Sequence, residues 1–162
     1  MKIDEPIRRY IFSGMILLVV VGFIIAIILG NKQDRTFQKN EELYRQMLNQ
    51  IQETQYDEAL LIGEELINNH RKSDAIYYLM GLAAANSGDV ELASEYLRKS
   101  LDVNPYQVED PMFMLQYGEI LLFEGKNDEA SLVLEHCMVL SPPETYPDYL
   151  TKVEELQKQL GS

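Results

Sequence analysis

The chain has 162 residues, 46% of them hydrophobic, and a formal net charge of −12 at neutral pH. The charge is split unevenly: residues 1–40 hold six basic against three acidic side chains, and residues 41–162 the remaining eight basic against twenty-three acidic. A module that acidic repels phosphate backbones and anionic headgroups, which argues against nucleic-acid binding, and a single cysteine excludes an internal disulfide.

After a short polar tail, residues 1–9, the stretch from Tyr10 to Gly30 carries no charged side chain; the flanking charges are Arg9 and Lys32. A helix of about 20 apolar residues spans a hydrocarbon core. A cleaved signal peptide has a shorter apolar region and a small-residue cleavage site, whereas this run ends on the bulky Ile27, Ile28 and Leu29. The expectation is a single transmembrane helix over 10–30. Gly22, Ala26 and Gly30 fall four apart on one face of it, a row that lets another membrane helix approach closely, although glycine is frequent in membrane helices anyway. Orientation is nearly a tie, with Lys2, Arg8 and Arg9 before the span and Lys32, Arg35, Lys39 and Arg45 after it. The brief tail with its arginine pair suits a start held in the cytoplasm, which places the rest outside, at a bacterial cytoplasmic membrane; the opposite topology stays open. Residues 31–40 read as a juxtamembrane linker.

Residues 41–144 repeat. Ala59, Ala93 and Ala130 occupy matching points of three segments, spaced 34 and then 37 residues apart, and Gly81 and Gly118 each stand twelve residues before the second and third alanine. Small residues at those points let two helices cross closely in a packed interior. Gly88 and Gly125 supply the left-handed backbone that ends a first helix, and Pro105 and Pro142 stop the second. The segment Glu41 to His70 is a degenerate first copy with Met47 in place of Gly81, and Val108, Glu109 and Asp110 make up the extra three residues of the longer interval. His70, with Arg71 and Lys72, suits a helix carboxyl end. From Thr145 to Leu160, Tyr146, Tyr149, Leu150, Val153, Leu156 and Leu160 recur at helical spacing, as a terminal capping helix over 145–162 requires.

The segments Tyr77 to Pro105 and Met114 to Pro142 resemble the tetratricopeptide repeat, a helical hairpin recurring about every 34 residues. The resemblance implies an all-α superhelix of three hairpins whose first helices line a concave groove. Carried onto this chain, the groove positions are Tyr44, Leu48 and Ile51, then Tyr78, Leu82, Ala85 and Asn86, then Met112, Leu115, Glu119, Leu122 and Phe123. Most are apolar or aromatic, and the lysine and asparagine set with which chaperone-tail-binding members clamp a carboxylate is missing. An apolar or amphipathic helix or peptide fits better as partner, with burial by the chain's own last helix or by a second copy as the alternative.

Catalytic and metal constellations are absent from the sequence. His136 points about 100° away from its neighbour Cys137 on a helix, and no phosphate-cradling glycine loop, metalloprotease helix or nucleophile elbow occurs. Cys137 reads as a buried packing residue. The chain is therefore expected to be neither an enzyme nor a cofactor protein, but a membrane-anchored adaptor or scaffold for a protein partner; the alternative is a permanent subunit of a membrane complex held through its transmembrane helix.

Overall fold

The structure, a computed structural model, describes residues 5–69 and 72–161; between 5 and 35, side chains are described only at 15 and 18–23. His70 and Arg71, and the side chains of Ala26 and Gly30, lie outside the described residues. Among the described residues there are seven α-helices: α1 (Glu5–Gln52), α2 (Tyr56–Asn68), α3 (Asp74–Ser87), α4 (Val90–Val103), α5 (Pro111–Glu124), α6 (Asn127–Cys137) and α7 (Tyr149–Leu160). The chain divides into two compact units, Met1–Glu42 and Leu43–Ser162. Residues 31–40, expected as a linker, are helical within α1. Among the described residues, no helix is long and apolar enough to cross a membrane; most side chains of the 10–30 run lie outside that set.

In the second unit, the Leu43 to Gln52 part of α1 pairs with α2, α3 with α4, and α5 with α6. The same turn closes all three pairs. Gly88 has φ +93° and Gly125 φ +83°; Gly88 N–H donates to Ala85 O and Asp89 N–H to Ala84 O, and Gly125 N–H donates to Leu122 O and Lys126 N–H to Leu121 O. These crossed bonds satisfy carbonyls that a helix end leaves without partners. The first hairpin repeats the pattern at Thr54, where Thr54 N–H donates to Ile51 O and Gln55 N–H to Gln50 O, with φ +59°. A β-branched residue in that region is strained. The turn signal of the first repeat was illegible because threonine carries it.

The close crossings sit where the small residues predict. A Cβ on Gly81 would meet Leu97 Cδ2 at 2.7 Å and Ala93 O at 3.3 Å, and one on Gly118 would meet Leu134 Cδ2 at 2.9 Å. In the first hairpin the sizes are exchanged: Met47, fully buried, stands at the position of Gly81, and Gly63 at that of Leu97. A Cβ on Gly63 would meet Met80 Cγ of α3 at 2.6 Å, so the space that glycine leaves is filled from the next hairpin.

Two expected boundaries shift. α6 ends at Cys137, five residues before Pro142. Its last bonds tighten to three-residue spacing, Met138 N–H to Glu135 O, Val139 N–H to His136 O and Leu140 N–H to Cys137 O, and the Tyr149 hydroxyl takes the Cys137 carbonyl at 3.1 Å, the oxygen to which a continuing α-helix would bond. The capping helix begins at Tyr149 rather than Thr145, after a turn through Pro147. The 37-residue interval holds a 3-10 turn, Pro105–Glu109, and Asp110, whose carboxylate accepts from Met112 N–H at 2.9 Å and Phe113 N–H at 3.1 Å, capping α5. The Nε2–H of His136 donates to Val108 O at 2.8 Å, pinning that turn to α6.

A polar lock joins the start of α3 to the end of α4. Asn104 Nδ2–H donates to the Asp74 carboxylate at 2.7 Å, and Ser100 Oγ, fully buried, lies 2.8 Å from Asp74 O and 2.7 Å from Gln107 Oε1. The Asn104 bond holds the Asp74 carboxyl below its ordinary value.

Thr54→Gly is expected to raise stability by about 0.5–1 kcal/mol, strain relief exceeding the added chain entropy, and Gly88→Thr to lower it by about 1–2 kcal/mol; urea unfolding checks both, and a destabilised Thr54→Gly protein contradicts the strain. A folded pKa below the unfolded one stabilises at pH above the carboxylate range and is lost as pH falls through the folded value. The stability difference between the wild type and Asn104→Ala is therefore largest near neutral pH and narrows as the pH falls through and below the ordinary aspartate range. It does not vanish, because Asn104 also accepts from Tyr106 N–H.

Candidate interaction surface

The expected groove positions divide into three groups. Tyr44, Leu48, Ile51, Leu82, Ala85, Met112 and Leu122 are half-buried, and Asn86 and Phe123 are exposed, Phe123 at 65%. Asn86 turns back on its own helix, donating from Nδ2 to Leu82 O at 2.7 Å. Tyr78 is drawn into the seam between α3 and α5: its hydroxyl donates to Gln116 Oε1 at 2.7 Å, and its ring lies 5.6 Å from that of Phe113, which in turn lies 6.3 Å from Tyr117. Burial, reinforced by the Asp110 carboxylate, pushes the Tyr78 hydroxyl pKa up.

The third group is taken up by the last helix. Leu115, expected in the groove, is only 3% exposed and belongs to the core cluster that also contains Tyr149, Val153 and Leu156. Position 115 lies on the inward face of α5. Glu119 Oε1 pairs with Lys152 Nζ of α7 at 2.7 Å, and that carboxylate raises the Lys152 pKa. The capping helix thus covers part of the lining contributed by α5, while Leu82 and Ala85 of α3 stay half-buried and Phe123 of α5 exposed. No sequence spacing could have flagged Glu119 with Lys152, because they meet only once α7 has folded onto α5.

Cys137 is fully buried on α6, as its small-residue position predicts, and burial raises the pKa of its thiol. Tyr149, also fully buried, spends its hydroxyl on the Cys137 carbonyl. No group of three or more His, Cys, Asp or Glu among the described residues is arranged to hold a metal ion.

Residues 74–107, which comprise α3, α4 and most of the turn after them, match the tetratricopeptide repeat family. The Photosystem I assembly protein Ycf3 of Acaryochloris marina is 34% identical over 82 residues, 51% of this chain and 45% of that protein; the chain thus spans less than half the length of the curated relative it matches. The type III secretion chaperone SycD of Yersinia enterocolitica, solved with a peptide of the translocator YopD, superposes with a TM-score of 0.63 at 20% identity over 75% of this chain and 91% of its own. The second tetratricopeptide domain of human RPAP3, solved with an HSP70 peptide, also has a TM-score of 0.63, at 14% identity over 75% and 98% of the two chains. The fold of this chain is the all-α tetratricopeptide helical repeat fold, and identities that low speak for the fold alone.

Native Cys137 is expected to react with a maleimide far more slowly than the unfolded chain. Tyr149→Phe removes one bond at the α6–α7 junction, worth about 1 kcal/mol, and should speed labelling about fivefold; an unchanged rate would mean that the hydroxyl does not hold this junction closed.

Proposed function

We propose that the chain is a membrane-anchored tetratricopeptide adaptor. Its amino-terminal helix fixes it in a bacterial cytoplasmic membrane with the repeats outside the cytoplasm, and its first helices dock an apolar or amphipathic segment of a protein undergoing assembly or handled as a client. The observation that carries the reading is that Leu82, Ala85 and Phe123, apolar side chains on first helices, stay at least partly open, with no lysine and asparagine clamp at the groove positions among the described residues. Two fold neighbours are solved with peptides bound, and the sequence relative is named an assembly protein; both lend support to a peptide-docking role. The anchor draws on the uncharged run between Arg9 and Lys32 and on Leu18, Val19 and Phe23, which are at least 70% exposed within it, as lipid-facing residues would be.

A second reading, a permanent subunit of a membrane complex, draws on Gly22: open space surrounds the place a Cβ would occupy there, and Ala26 and Gly30 continue its row in sequence. In either case the chain works by presenting a surface, with no bond made or broken.

Crosslinking of the full chain in mild detergent separates the two readings. Under the adaptor reading, Leu82→Glu with Phe123→Glu lowers partner capture at least about tenfold, the loss expected when a buried apolar anchor is removed, while Gly22→Leu with Ala26→Leu leaves it intact. The reverse pattern supports the subunit, and indifference to both pairs removes the basis of each.

A further inference from the structure

A polar cleft lies between the second helices α4 and α6, with α5 beneath. It encloses ≈130 Å³ and is lined by Glu91, Ser94, Glu95, Arg98, Tyr117, Lys126 and Glu129. Two of its charges are already spent, Glu95 on Lys99 at 2.6 Å and Lys126 on Glu124 at 2.6 Å, with Lys126 Nζ also 3.5 Å from Ser94 Oγ. Among the described residues, Glu91, Glu129 and Arg98 form no ion pair, leaving two carboxylates against one guanidinium. Tyr117 is 7% exposed and lines the cleft, yet its hydroxyl has no hydrogen-bond partner among the described residues. The hydroxyl itself is not among the buried unpartnered atoms, so it stands open to the cleft, ready to bond a group that enters.

The adjoining hairpins build a similar cleft one repeat earlier. Glu64, Ile67 and Asn68 of α2, Tyr77 of α3, and Tyr96 and Lys99 of α4 enclose ≈220 Å³. There the chain supplies its own cation: the Lys99 ammonium stands 5.1 Å over the Tyr96 ring while bridging to Glu95. The later cleft has the aromatic floor and an excess of carboxylate, with its own lysine drawn aside to Glu124.

We propose that the cleft of Glu91, Tyr117 and Glu129 is a second binding site, which takes the cationic side chain of a protein partner. A guanidinium head suits it best, because its fixed fork of N–H donors can serve both carboxylates while the tyrosine hydroxyl accepts one more. The volume admits the head of one side chain and no folded segment. Arg98, at the rim, competes for the same carboxylates. The site lies outside the groove residues, and its test involves neither the groove nor the membrane anchor.

The test is titration of the ¹⁵N-labelled full chain in nonionic detergent with a capped Gly-Arg-Gly peptide, its lysine counterpart and its neutral citrulline counterpart. The expected result is saturable shifts centred on residues 91–98, 117 and 126–130 with the arginine peptide, weaker ones with lysine and none there with citrulline. Glu91→Gln and Glu129→Gln should each weaken binding about three- to fivefold, the size of an exposed charge pair, Tyr117→Phe should weaken it also, and Arg98→Gln should tighten it. Glu154→Gln, an exposed acid on α7, should have no effect. Thermal midpoints report whether each variant is folded, so a loss of binding counts only in a folded protein. If Glu91 and Glu129 serve only their own helix amino termini, their variants melt earlier but bind unchanged, and the proposal fails. It fails equally if the shifts spread over the acidic surface or if citrulline binds as well as arginine.

Discussion

One backbone conformation organises the array. Each hairpin reverses at a residue with positive φ, at Thr54, Gly88 and Gly125, and each reversal is locked by the same two crossed hydrogen bonds. Because the turn is the same three times, the two helices of each pair leave it in the same relative direction, and stacking of like hairpins follows. Glycine adopts this conformation without penalty. Threonine adopts it only because the helices on either side are buried together: Leu43, Met47, Ala59 and Leu66 all belong to one core cluster.

Close approach between helices is the second constraint, and it depends on the turn. Helix pairs held at that angle meet where Gly81 faces Leu97 and Gly118 faces Leu134, and the leucine fills the volume the glycine leaves. The first hairpin satisfies packing density with the sizes exchanged, Met47 on the first helix and Gly63 on the second, and Met80 reaching in from α3. A core tolerates such an exchange when total volume is kept. The exchange also ties the first hairpin to the second, because the methionine that fills the gap belongs to the neighbour.

The repeat therefore presents two kinds of surface. First helices carry partly open apolar side chains, and α7 takes up part of that face through Leu115 and the Glu119–Lys152 pair. Second helices enclose polar clefts floored by tyrosines, one with the chain's own ammonium over its aromatic ring and one with carboxylates in excess. Under the two proposals made above, the acidic module meets an apolar segment with its first helices and a cationic side chain with its second, charge acting on encounter and apolar burial on retention.

Periodicity by itself determined the helical class, the second and third hairpins, the glycine turns and the buried place of Cys137, because these follow from spacing along one chain segment and from what glycine alone does cheaply. The tertiary structure decided whatever depends on residues distant in sequence: that Thr54 is held left-handed without glycine, that Gly63 answers Met80, and that Tyr78 is claimed by Gln116. It also decided that Leu115 goes inward, that Glu119 meets Lys152, and that α6 stops at Cys137 rather than near Pro142. Spacing records the period of an element. The partner of a side chain is chosen only when the elements pack, because at the close distances of a core each small or large residue is judged against whatever stands opposite it.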